Sequence, residues 1–130
     1  GNVFGGAILK HIDMVAGIVA QRYSQSNAVT VSMDKISFLK PVFVGNVLFV
    51  NARVNYVQKS SMEIEVNVEA EDIAKGTRVH TGNAYVTFVA LDNNGKPTPV
   101  PTLCIDNPED QKRFDEGKLR MEHRIKERKK

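Results

Sequence analysis

The sequence of 130 residues has one cysteine, no tryptophan and only 7% aromatic residues, and none of its apolar stretches is long. The single Cys104 can form neither an internal disulfide nor a cysteine-based zinc site, and a lone thiol suits a reducing compartment. No charged-then-apolar leader and no apolar run of about 18 residues is present, so the chain reads as cytoplasmic, with no membrane partner. Charge of one sign is scarce as well, with 18 Lys+Arg against 15 Asp+Glu. Residues 1–110 sum to −2 and residues 111–130 to +5, so the basic character sits in the tail alone. A run such as Arg124–Lys130 is more commonly a solvated helix end than an arm for phosphates, and no nucleic-acid partner is expected. Histidines 11, 80 and 123 are scattered, so no metal site is expected. The sequence has no Gly-x-Ser-x-Gly elbow, phosphate-cradling Gly-rich loop or dinucleotide fingerprint. What is present is 42% apolar composition, enough for one domain with its own core.

From Val3 to Ser24, Phe4, Ala7, Ile8, Ile12, Val15, Val19 and Tyr23 recur at helical spacing. They predict a mostly apolar helix buried on more than one side. From Ala28 the period becomes two. Thr30–Lys40 predicts a strand whose apolar phase shifts between Val29/Val31/Met33 and Ile36/Phe38, as a bulge or bend requires. Val47–Val57, Met62–Ala70 and Arg78–Leu91 predict three more, with one face of the Met62–Ala70 strand apolar and the other, from Glu63 to Glu71, wet. Pro97, Pro99 and Pro101 exclude a further central strand. Asn107-Pro108-Glu109-Asp110 carries a helix cap, a proline at the first helical position and acids in the first turn. The helix it starts is sparse in apolar residues and belongs on a surface or a partner. One helix followed by four antiparallel strands is an α+β domain, a sheet wrapped on a helix.

Two features of the first helix suggest chemistry. Asp13 sits among Leu9, Ala16 and Gly17, where a carboxylate is costly unless it is paired, used or turned into a wet crevice or a subunit seam. Asn2 stands where a cap would be, and Gly5 and Gly6 lie in the first turn, where free amides and the helix dipole favour an anion. The glycines would let a carbonyl reach those amides, although tight packing on the sheet is by itself the commoner reason for glycines there.

The run Gly1-Asn2-Val3-Phe4-Gly5-Gly6-Ala7-Ile8-Leu9-Lys10-His11-Ile12-Asp13 resembles the signature of the hotdog-fold acyl-CoA thioesterases. The likeness continues in order through Ser37–Val42, Val44-Gly45-Asn46, Ser60-Ser61-Met62 and Ala84–Asp92, and covers residues 1–101. It implies a hotdog fold, with a curved antiparallel sheet around one long helix and a C-terminal surface helix appended. It divides the chain into a thioesterase domain at 1–106, without the strand that precedes the motif in the family, and a basic helix or tail at 107–130. The implied activity is hydrolysis of acyl-CoA to a free fatty acid and coenzyme A, the latter as substrate moiety and product, with no cofactor and no metal. The resemblance makes Asp13 general base or nucleophile and Asn2 the amide that orients water or thioester, facing a partner's Asp13. Gly5 and Gly6 lie at the helix N-terminus that polarises the carbonyl. It puts Lys59, Ser60 and Ser61 near the coenzyme's nucleotide and phosphates. It also implies a homodimer and commonly a trimer of dimers, a hexamer. The competing reading is a regulatory module that binds acyl-CoA without turning it over. A hydratase is disfavoured, because His11 and Asp13 point to different sides of a helix.

Overall fold

The computed structural model describes residue 3 and residues 5–128. Its order is helix α1 (Gly5–Ser24), strands β1 (Asn27–Phe38), β2 (Val47–Gln58), β3 (Ser61–Asp72) and β4 (Thr77–Leu91), and helix α2 (Pro108–Arg128). All neighbouring strands are antiparallel, in the spatial order β1-β4-β3-β2. This is the hotdog arrangement, with α1 lying on one face of a curved sheet.

The inner face follows the alternation in the sequence. Met62, Ile64, Val66 and Val68 of β3 and Ala84, Val86, Phe88 and Ala90 of β4 are buried against Ile8, Ile12, Ala16 and Ala20 of α1. A residue pointing inward every second position meets a helix stripe repeating every fourth, which is the geometry that closes a two-layer core. The expectation that α1 is buried on several sides does not hold within one chain. Only that single stripe is buried, and Met14 and Ile18 remain 52% and 47% exposed. The helix also starts at Gly5 rather than Val3, so the first free amides belong to Gly5, Gly6 and Ala7. Asn2 lies outside the described residues.

The bend expected in β1 takes the form of two register shifts against β4, between Thr30 and Ser32 and between Asp34 and Ser37. Lys35, inside the second, adopts the left-handed conformation with φ of 53°. Where β1 crosses β4 the backbones come very close. A Cβ on Gly82 would stand 2.5 Å from the Ser37 carbonyl oxygen, so only glycine fits there. The alternating prolines after β4 leave the amides of Thr98 and Val100 as donors. Thr98 donates to the Ala90 carbonyl and Val100 to the Lys59 carbonyl, which straps this segment over the β2–β3 turn.

The outer face departs from the sequence reading. It is not uniformly wet, because α2 folds back onto it beside β2. Asn107 Oδ1 accepts from the Asp110 amide at 2.8 Å, capping α2 as its sequence predicts. Met121 is buried and Phe114 meets Tyr56 edge-on, whereas Leu119 stays exposed. Gly117 allows the close approach, since a Cβ there would stand 2.8 Å from Tyr56 Cβ. Glu63, one of the residues read as wet, is only 4% exposed. Arg120 donates to both of its carboxylate oxygens, at 2.9 and 2.7 Å, and stacks on the Tyr85 ring. Among the described residues no helix is long and apolar enough to cross a membrane.

Candidate active site

Asp13 sits in the middle of α1, half-buried, on the side of the helix next to β1. Thr30 reaches it from β1, its Oγ1 donating to Asp13 Oδ1 at 2.8 Å. Thr30 pairs with Phe88 across the β1–β4 ladder, so it shares the inward phase of β4 and points toward the helix. One carboxylate oxygen is thereby fixed while the other has no protein donor among the described residues. A carboxylate oriented by a hydroxyl and open on its second oxygen can take a proton from water or attack an electrophile. The sequence pattern singled out Asp13 but not Thr30. The available signal was a hydroxyl at an inward position of a strand.

Gly5 and Gly6 lie two turns before Asp13. Gly5 packs near the Phe38 ring, with 3.7 Å left for a Cβ, and no atom lies within 4 Å of a Cβ on Gly6. The backbone at Gly6 is therefore approachable, as a carbonyl contacting helix amides requires. The rise of an α-helix separates these amides from Asp13 by about 12 Å. Within one chain the two features do not converge on one reacting group.

Lys59 and Ser60 form the two-residue turn between β2 and β3, with Lys59 at φ of 53°. Ser61 pairs with Val89, next to the Phe88 that faces Thr30. The turn therefore lies at the Thr30 end of the sheet and not at the Gly82 end, where β1 passes into the loop before Val42. The Lys59 and Ser60 carbonyls already accept from Val100 and Ala90, and Lys59 is exposed whereas Ser60 and Ser61 are half-buried. The structure thus places Asp13 with Thr30 and sets Lys59–Ser61 along the same end. It leaves Gly5 and Gly6 apart, and Asn2 is not among the described residues.

Two clefts lie elsewhere. One of about 340 Å³ runs between α2 and the outer face, lined by Asp34, Lys35, Glu63, Arg120 and Arg124 among others. Another, of about 680 Å³, is walled by Asn51, Arg53, Asn55, Asn67 and Arg113. Beside it, burial acts to raise the Glu65 pKa. Hydrogen bonds from Asn55 and Asn67, with Arg53 and Arg113 nearby, outweigh that and hold the carboxyl below the usual carboxylate range. These are features of the outer face, away from Asp13. No three His, Cys, Asp or Glu side chains gather to hold a metal ion among the described residues.

A family profile described as the thioesterase superfamily matches residues 1–77. The chain is 41% identical over 122 residues to the cytosolic acyl coenzyme A thioester hydrolase of Rattus norvegicus, covering 92% of this chain and 32% of that protein. It therefore spans about a third of the length of that relative. Among solved structures it resembles the acyl-CoA hydrolase of Staphylococcus aureus in complex with butyryl coenzyme A and coenzyme A. That likeness has a TM-score of 0.88 and 35% identity, over 98% of this chain and 77% of that one. A hexameric acyl-CoA thioesterase without ligand superposes with a TM-score of 0.92 and 33% identity, over 98% and 81% of the two chains. The S. aureus protein has also been solved with alanine in place of an asparagine, a threonine or an aspartate. Its substituted aspartate and threonine stand as far apart in sequence as Asp13 and Thr30.

Proposed function

Because the chain belongs to the thioesterase superfamily, we propose that it hydrolyses acyl-coenzyme A thioesters to a free acid and coenzyme A. The observation that carries this reading is the Asp13–Thr30 pair, at the same sequence separation as the aspartate and threonine substituted in the S. aureus hydrolase. Asn2 stands closer in sequence to Asp13 than the substituted asparagine of that enzyme stands to its aspartate, so the proposal rests on Thr30 and Asp13 rather than on Asn2.

Thr30 holds Asp13 Oδ1 and leaves Oδ2 to a water. Asp13 takes the water's proton as oxygen adds to the thioester carbonyl, the carbonyl oxygen becomes negative, and collapse breaks the C–S bond. The proton then goes to the departing thiolate of coenzyme A. In the nucleophilic variant Asp13 itself adds, expels the thiolate and is freed from the anhydride by water. When water opens that anhydride at the Asp13 carbonyl, single turnover in heavy-oxygen water labels the Asp13 carboxylate, which the general-base route never does. The reaction needs no resident cofactor or metal.

The growing oxyanion is assigned to the Gly5 and Gly6 amides. One such donor contributes on the order of 100-fold in rate. Since these amides lie about 12 Å from Asp13 of the same helix, the complete site is built from two copies, each supplying what the other lacks. The exposed Met14 and Ile18 on α1 and Val29 and Val31 on the edge strand β1 support such pairing, and the hexameric neighbour supports a trimer of dimers. The exposed Lys59 with Ser60 and Ser61 is assigned to the coenzyme's phosphates. This chemistry belongs to residues 1–106, with 107–130 as an appended helix, and the cytosolic relative supports a cytoplasmic location.

The test is thiol release, followed with a colorimetric reagent, from a panel of acyl-CoAs. Asp13→Asn should lower turnover by two orders of magnitude or more, and Thr30→Val by about tenfold, with folding intact. Saturable acyl-CoA binding without thiol release in the wild type would instead make the protein an acyl-CoA-binding module.

A further inference from the structure

Between α1 and the sheet beyond Asp13, several of the core side chains are small. Ala16 and Ala20 of α1 and Ala90 of β4 are fully buried there, and Ala28 of β1 packs against the same core. The Phe88 ring and its strand neighbour Met62 stand beside them. Phe88 is 2% exposed, and its ring edge lies under Gly17, with atoms 3.8 and 3.9 Å from where a Gly17 Cβ would be. Gly17 is the next turn of α1 after Asp13, so the two share one stripe of the helix. The strand partner of Phe88 is Thr30, the residue that holds Asp13. Asp13, Thr30, Gly17 and Phe88 are therefore neighbours, the first two polar and the last two packed together behind them.

An acyl chain whose carbonyl carbon is held at Asp13, and which turns inward along α1, meets that ring within a few carbons. On the thioesterase reading, we propose that the Phe88 ring is the stop that limits the length of the acyl chain the site accepts. The contact with Gly17 makes the stop rigid. The helix has no side chain there to move aside, and the ring is fixed by a packed core that resists a change of even one methylene. Removing the ring would leave an apolar cavity in the core. Voids of this kind stay dry and take up apolar ligands, a ring of six carbons fitting in roughly 150 Å³.

The experiment compares kcat/KM for butyryl-, hexanoyl-, octanoyl- and decanoyl-CoA in the full chain and in Phe88→Ala and Phe88→Leu. The wild type should favour the short members. Each further methylene that finds buried room is worth about fourfold. The octanoyl-to-butyryl ratio should therefore rise at least tenfold in Phe88→Ala, mainly through a lower KM for the longer chain. Phe88→Leu keeps most of the apolar volume and should shift the ratio in the same direction by less. It decides the matter if the alanine variant does not fold. Equal turnover of butyryl- and decanoyl-CoA by the wild type, or unchanged ratios in a folded variant, would overturn the stop. A wild type that releases thiol from no acyl-CoA would overturn the hydrolase reading itself, and the stop with it.

Discussion

Replacing Arg120 by alanine is the sharpest test of how α2 is held. Glu63 lies on the central strand β3, 4% exposed, and both its carboxylate oxygens are satisfied by the Arg120 guanidinium. Burial acts to lower the Arg120 pKa, but the bond to Glu63 and its charge raise it overall, so the guanidinium keeps its charge through the neutral range. Removing the cation leaves a buried anion without a partner, which costs about 3–5 kcal/mol when nothing else moves. The lost stacking on Tyr85 adds about 1 kcal/mol. The chain has one route of relief, because α2 can lift and admit water to Glu63. The total loss is then capped by the free energy of docking α2, whose remaining hold is mainly Phe114 on Tyr56 and the buried Met121. Arg120→Ala should accordingly lower the urea midpoint by an amount equivalent to several kcal/mol, or expose the connection at 102–107 to protease while the sheet stays folded. Both can be read on one preparation. Glu63→Gln combined with Arg120→Met, which removes both charges, should recover most of the loss. A single Arg120→Ala variant within about 0.5 kcal/mol of the wild type, with unchanged protease resistance, would refute the account.

Gly117→Ala would ordinarily stabilise a helix interior by up to about 1 kcal/mol. Here the new Cβ falls 2.8 Å from Tyr56 Cβ and 3.0 Å from Glu63 Oε1, and Tyr56 Cβ is anchored on the strand and cannot swing away. Overpacking of this kind costs about 1–3 kcal/mol, so the net sign should be destabilising in thermal unfolding, whereas Gly17→Ala, with 3.8 Å of room, should be neutral or stabilising. Acid stability should depend on Glu65. Its folded pKa lies below the unfolded value of 4.5, so the unfolded chain binds the proton first. The contribution is complete above about pH 4.5 and is lost as the pH falls through the folded value. Glu65→Gln should flatten that acid limb in a series of denaturation curves, and an unchanged limb would remove Glu65 from the cause.

Much of the local structure was decided by the sequence. The period of four in Ile8, Ile12, Ala16 and Ala20, the alternation from Met62 to Ala70 and the cap at Asn107 depend on neighbours within a few residues. That is why the helices and strands start and stop close to where their residues predict. The bend in β1 was legible for the same reason, as a slip of apolar phase, and so was Asp13, a carboxylate in an apolar stripe. The tertiary structure decided what covers what. That Glu63 lies under a helix cannot be read from β3, because its partner Arg120 is 57 positions away and the strand itself presents an ordinary polar face. How closely α2 approaches Tyr56 depended on Gly117, whose missing side chain leaves room for the contact. Thr30 became part of the site only when the β1–β4 register turned it toward Asp13, and Phe88 became the floor behind it through the same pairing. Register is a property of two strands at once, and a shift of one residue would have sent both side chains to the opposite face.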